Sequence, residues 1–256
     1  MRRLLQDGIL WAYRIVFANN FLRYRWGQRV FFALYDVYKL WFEAGPIAKL
    51  QAYVPEGACV IDVGANVGFF TLRFAHWVGP QGRVIAIEPE DVNFVELTRR
   101  ISAQTLSDRI TIHHAAADRT KGEARLVVNK DHPGDHQLGD DGIPVHTVTL
   151  DGLLASEDRA PALIKIDVQG AEMRVLAGAE TVLNLYRPVL FIEVDPGALG
   201  RFGTSTDALL AFLARLGYAP HALESDGARL LTRLMLDDLL ARRVYVDLLF
   251  IAKTAP

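Results

Sequence analysis

The turn Asp62-Val63-Gly64-Ala65-Asn66-Val67-Gly68-Phe69 is the first place in this chain where residue types and spacing point to chemistry. Glycines at 64 and 68 let the backbone fold tightly and approach a ligand that a Cβ would hold off, which implies a nucleotide-like ligand. The dinucleotide fingerprint G-x-G-x-x-G, started at Gly64, requires glycine where this chain has Asn66 and Phe69, so a pyrophosphate cofactor is disfavoured. A plain strand-to-helix connection is the other reading of the turn taken alone. Glu88-Pro89 follows, with Glu88 24 residues beyond Gly64. An acidic residue at the end of a second strand is placed to accept hydrogen bonds from both ribose hydroxyls; a solvated strand-end carboxylate is the plainer alternative. Further on, Asp167 ends an apolar run and is expected to point into the same crevice. Gly170 turns the chain there, and Glu172 falls in a first helical turn, where the dipole favours negative charge.

A doubly wound sheet is what would bring these residues together. From residue 57 onward, short apolar runs rich in β-branched residues alternate with helix-like stretches, the pattern of an α/β fold with a mostly parallel sheet covered on both faces. Strands are expected at 59–63, 83–87, 110–114, 163–167, 189–194 and 245–252, and helices near 69–78, 91–104, 171–185 and 206–216. Two further short strands are expected at 125–129 and 145–149, around a loop. Ligands of such sheets sit at the carboxyl ends of the strands, near the point where strand order reverses.

Residues 1–50 read as an aromatic-rich helical extension ahead of a domain over 51–256. Trp11, Tyr13, Phe17, Trp26 and Trp41 are mixed there with Arg14, Arg23, Arg25 and Arg29. Packing of these aromatics onto the main domain is the favoured reading; a lid, or a peripheral membrane contact with arginines facing phosphate headgroups, is the alternative. Arg2 and Arg3 ahead of Leu4 and Leu5 superficially resemble a signal peptide, but Asp7 and Arg14 interrupt the apolar run, so secretion is not expected. Hydrophobic residues make up 51% and charged residues 23% of the 256, which disfavours disorder. A net charge of −2 gives no general reason to bind nucleic acid. The lone Cys59 excludes an internal disulfide and fits a reducing, cytoplasmic setting.

The octet Lys165-Ile166-Asp167-Val168-Gln169-Gly170-Ala171-Glu172 resembles the hallmark K-I-D-V-E-G-A-E of the FkbM family of O-methyltransferases, with Gln169 where Glu is common. The first turn is similar to motif I of S-adenosylmethionine-dependent methyltransferases, and Ile87-Glu88-Pro89 and Phe191-Ile192-Glu193 add to the likeness over roughly residues 55–252. That resemblance implies a seven-stranded, Rossmann-like class I methyltransferase fold and S-adenosyl-L-methionine as cofactor. The acceptor it implies is a hydroxyl of a sugar, glycolipid or natural product. It places Asp62, Gly64, Ala65, Asn66, Gly68, Phe69, Glu88, Pro89 and Asp167 around the cofactor, with Ala117 and Asp118 at the adenine and Asp167 also catalytic, shared by cofactor and acceptor.

An alcohol acceptor has to lose a proton. The loop Asn129-Lys130-Asp131-His132-Pro133-Gly134-Asp135-His136 is expected to supply the base, His136 in preference to His132, with Asp135 orienting it. A polar surface turn is the alternative for the same residues. Glu193 and Asp195, converging with Asp167, have the chemistry to hold Mg²⁺, but a metal-free site is preferred. His113, His114 and His146 lack metal-ligand spacing. Competing functions are a metal-assisted O-methyltransferase, a nucleotide-dependent oxidoreductase, and a non-catalytic module binding cofactor or partner; a homodimer is compatible with each.

Overall fold

A computed structural model describes residues 47–129, 136–224 and 226–253. The chain divides into two units, Met1–Ala48 and Lys49–Pro256. Up to residue 46 the expected aromatic extension lies outside the described residues, as do His132 and Asp135. Among the described residues, no helix is long and apolar enough to cross a membrane.

β1 (Cys59–Val63) is buried at every position, as a parallel strand is when both faces of its sheet are covered. α1 (Phe69–Trp77) packs on β1 and on β2 (Arg83–Ile87), and α2 (Asp91–Ala103) leads to β3 (Ile110–His113). The chain then leaves this sheet for a second one made of β4 (Ala116–Ala117), β5 (Gly122–Val127), β6 (Gln137–Leu138) and β7 (Ile143–Val148), in the order β4-β7-β5-β6. α3 (Leu150–Leu154) returns it to β8 (Pro161–Ile166), followed by α4 (Glu172–Ala177), α5 (Glu180–Tyr186) and β9 (Val189–Val194). α6 (Pro196–Arg201), α7 (Thr206–Arg215), β10 (Tyr218–Glu224), β11 (Gly227–Leu230), α8 (Arg233–Arg242) and β12 (Val246–Ala252) complete the described chain.

The main sheet has the order β11-β10-β12-β9-β8-β1-β2-β3. β1 pairs in parallel with both β2 and β8, so the chain builds outward to β3 and then returns to the other side of β1. Strand order reverses between β1 and β8, and their carboxyl ends flank the crevice that such a reversal creates. β12 runs antiparallel to both neighbours. This is the doubly wound, Rossmann-like sheet that the resemblance implies. Among the described residues it has eight strands rather than seven, because β11 folds back on β10 as an antiparallel edge. The single helix expected over 171–185 is two helices, α4 and α5. The break falls at Gly178, where a Cβ would lie 2.2 Å from the Asp118 carbonyl oxygen.

Gly64 ends β1 at φ +75°, and a Cβ on it would lie 2.0 Å from the carbonyl oxygen of Asp167. A close approach that requires glycine here is to the chain leaving β8. Gly64→Ala is expected to lower stability by about 2–4 kcal/mol, from a strained backbone and a steric clash together. An unchanged urea midpoint in that variant would remove the loop crossing as the reason for this glycine.

Candidate active site

The turn after β1 is closed inward. Gly64 and Ala65 both donate their N–H groups to the Ile87 carbonyl at 3.0 Å, and Gly68 donates to the Ala65 carbonyl at 2.9 Å. Asn66 donates its amide to Glu88 Oε2 at 2.7 Å, and Val67 donates to Asn66 Oδ1 at 2.7 Å. All five consecutive amides thus have partners within the protein. Phosphate-binding turns do the opposite and leave a row of N–H groups open to an anion. Phe69 begins α1 as a buried ring, with the Arg73 guanidinium 3.7 Å from its centroid.

Glu88 leaves the end of β2 as a buried carboxylate. Its second oxygen, Oε1, accepts the Glu90 amide at 3.0 Å. A carboxylate oxygen has more than one acceptor site, so hydroxyl donors can still be received. Burial pushes this carboxyl up to about 7, against the pull of the Glu90 and Asn66 amides. Pro89, next in the chain, lines a cleft of about 260 Å³ with His114, Ile143 and His146. His114 stacks on Phe94 at 4.3 Å between centroids, and its Nε2 lies 3.2 Å from Asp91 Oδ1.

A polar chain crosses the switch point. Thr71 donates its hydroxyl to Asp62 Oδ2 at 2.6 Å. Lys165, in register with Asp62 on the neighbouring strand, brings its Nζ to 3.4 Å from Asp62 Oδ1 and 3.4 Å from Asp167 Oδ2. The same ammonium donates to the Gly64 carbonyl at 2.8 Å and lies 5.3 Å from the Phe70 ring centroid. Gln169 Nε2 then donates to Asp167 Oδ1 at 3.2 Å and to Glu193 Oε1 at 3.0 Å. Asp62 is fully buried; burial pushes its carboxyl up, opposed by Lys165 and the Thr71 hydroxyl. Asp62 and Asp167 share one ammonium here, and Glu193 joins them through the Gln169 amide.

The Methyltransferase FkbM domain family matches residues 62–220, which contain every one of these groups. The chain belongs to the FkbM methyltransferase family. It is 34% identical over 179 residues to the 31-O-demethyl-FK506 methyltransferase FkbM of Streptomyces tacrolimicus, covering 56% of this chain and 68% of that relative. It is 26% identical over 151 residues to Methyltransferase 1 of Beauveria bassiana strain ARSEF 2860, covering 49% and 60% respectively. Among solved structures, methyltransferase FkbM from Methylobacillus flagellatus KT aligns with a TM-score of 0.49 at 21% identity. That alignment covers 85% of this chain, which spans about half (53%) of that relative.

Within this FkbM-family chain, several expected site residues have other partners. Ala117 is buried in β4, but Asp118 gives both carboxylate oxygens to Arg174, whose Nε lies 2.8 Å from Oδ1 and whose Nη2 bonds Oδ2. In this structure Asp118 thus pins α4 instead of standing open to an adenine amino group. His136 Nδ1 accepts the Asn129 amide at 3.1 Å, which places the ring proton on Nε2. Its one basic nitrogen is therefore turned to the Asn129 amide in this structure. Asp195 is the N-cap of α6, its Oδ1 accepting the Gly197 and Ala198 amides at 2.8 and 3.0 Å. Among the described residues, no three His, Cys, Asp or Glu side chains converge as metal ligands.

Lys165 and Gln169 are the site residues that sequence reasoning passed over. The available signal was a lysine inside the apolar run Leu163-Ile164-Lys165-Ile166, since a buried ammonium requires a partner. Lys165→Met leaves Asp62 buried without its counter-charge, and a loss of about 3–5 kcal/mol in urea unfolding is expected. Adding Asp62→Asn to that variant removes the stranded charge and should recover part of the loss. A double variant no more stable than Lys165→Met would show that the pair is not coupled.

Proposed function

We propose that this protein is an S-adenosylmethionine-dependent O-methyltransferase acting on a hydroxyl of a sugar, glycolipid or natural product. The observation that carries the reading is the contrast between the closed turn after β1 and the open acceptor sites around it. Five satisfied amides offer nothing to a phosphate, whereas Glu88 and the carboxylates of the switch point suit a cofactor with ribose hydroxyls and positive charge. When bound, S-adenosylmethionine supplies an electrophilic methyl group on a sulfonium. The Streptomyces relative is named for a substrate that lacks a methyl group on an oxygen, which supports a hydroxyl acceptor.

In this reading Glu88 receives the ribose hydroxyls on the acceptor capacity left by the Asn66 and Glu90 amides and the Asn93 side chain. Asp167, whose side chain is 28% exposed, is the carboxylate on which the acceptor hydroxyl aligns and to which its proton passes. Lys165 and Gln169 hold its two oxygens in place. His136 tethers Asn129 beside the acceptor by accepting its amide.

Cofactor affinity is expected to depend on pH through Glu88. Hydroxyl donors favour the carboxylate over the carboxylic acid, and burial holds that group protonated up to about pH 7. The sign is therefore that affinity rises with pH through about 7, and that binding below it releases a proton. Calorimetry in buffers of different ionisation enthalpy measures both. Glu88→Ala should weaken S-adenosylmethionine by about 1–3 kcal/mol and abolish the pH dependence. Stabilisation by NAD in a thermal-shift series, with none from S-adenosylmethionine or S-adenosylhomocysteine, would overturn the proposal.

The catalytic roles separate kinetically. Asp167→Asn is expected to slow methyl transfer by about 10²–10⁴-fold, whereas His136→Ala acts mainly on the acceptor KM. A comparable loss of kcat in His136→Ala, together with loss of the rising pH limb, would return the base to the histidine.

A further inference from the structure

Gln169 is built into the site in a conformation that a side chain seldom adopts. Its φ is +55°, in the left-handed region, and Gly170 follows at φ +108°. The turn has no room to relax, because a Cβ at 170 would lie 2.4 Å from the Ala198 carbonyl oxygen at the start of α6. This turn aims the Gln169 carboxamide between Asp167, just beyond β8, and Glu193, on β9. Both neighbours are acceptors when ionised, so only the NH₂ end of the amide satisfies them together.

Two carboxylates brought this close repel unless a cation or a shared donor stands between them. We propose that Gln169 is a positioning residue whose carboxamide takes the place of a divalent cation, bridging Asp167 and Glu193 so that the pair is held without a metal ion. The neutral amide adds no charge to the pair, whereas Mg²⁺ would add two positive charges. With Lys165 on one oxygen of Asp167 and Gln169 on the other, that carboxylate is fixed from both sides. The relevance of the bridge to methyl transfer rests on the function proposed above; the bridge itself does not.

Substitution by the isosteric acid tests this on the full-length chain with Mn²⁺ as the probe. Gln169→Glu places three carboxylates where there were two and an amide. It is expected to gain saturable Mn²⁺ binding in calorimetry, at least about tenfold tighter than wild type, and a melting temperature that rises with Mn²⁺ and falls in EDTA. The wild-type melting temperature should not respond to either. Exchanging the two groups, in Gln169→Glu with Glu193→Gln, restores one amide between two carboxylates and should abolish the cation dependence. If Gln169→Glu folds only when Mn²⁺ is present, the proposal is supported. Overturning results are an equal Mn²⁺ response in wild type, no Mn²⁺ response in Gln169→Glu, failure of that variant to fold with or without Mn²⁺, or a double variant as cation-dependent as the single one. No cofactor or acceptor enters these measurements, so their failure is distinguishable from failure of the methyltransferase reading, which the S-adenosylmethionine titration decides.

Discussion

A buried lysine shared by two aspartates holds the centre of this molecule together. Lys165 lies on β8 beside Asp62 on β1, and its ammonium reaches Asp167 and the Gly64 carbonyl as well. Each charge removed from water there is costly alone, and the arrangement is tolerable only because the partners arrive together from different strands. Their meeting requires that β1 and β8 be parallel neighbours in one register. The close passage of Gly64 under the Asp167 carbonyl imposes the same register sterically. Charge and packing thus specify a single alignment of the two strands that flank the crevice.

From this centre the polar groups extend outward in both directions. Thr71 ties Asp62 to α1, and Gln169 ties Asp167 to Glu193 on β9, so one chain of contacts spans three parallel strands and a helix. Two buried glutamates secure the loops on either side by a common device. Glu88 accepts the amides of Asn66 and Glu90, while Glu172 accepts those of Val168 at 3.3 Å and Gly170 at 3.0 Å. Burial pushes both carboxyls up to about 7. Side-chain carboxylates thereby satisfy loop amides that an anionic ligand would otherwise claim, and the crevice is left with acceptors. That acceptor character, more than the glycine spacing, separates this site from a phosphate-binding one.

Some of this was legible in the sequence. β1, β2 and β9 fall where apolar, β-branched runs end at glycine, glutamate or aspartate, and α1 and α2 begin at the predicted residues. In each case the signal is local, because a strand covered on both faces needs a predominantly apolar run. β10 and β11 gave no such signal. Ala219, Pro220 and His221 make a strand only because β12 pairs with them, and β11 exists only as the edge added to β10. α4 and α5 read as one helix until Gly178 meets the backbone of Asp118.

The site divides along the same line. The sequence by itself determined which residues carry chemistry at the strand ends, since Asp62, Glu88 and Asp167 each follow an apolar run that ends in a turn. Their partners were decided by the tertiary structure. Asp118 bonds Arg174, 56 residues away, and Glu88 bonds Asn66, 22 residues away. Gln169 joins two carboxylates on adjacent strands, and His136 turns its basic nitrogen toward Asn129. Residue type and local periodicity follow from nearest neighbours along the chain, whereas a buried polar group must find its counterpart wherever the fold brings one within hydrogen-bonding distance.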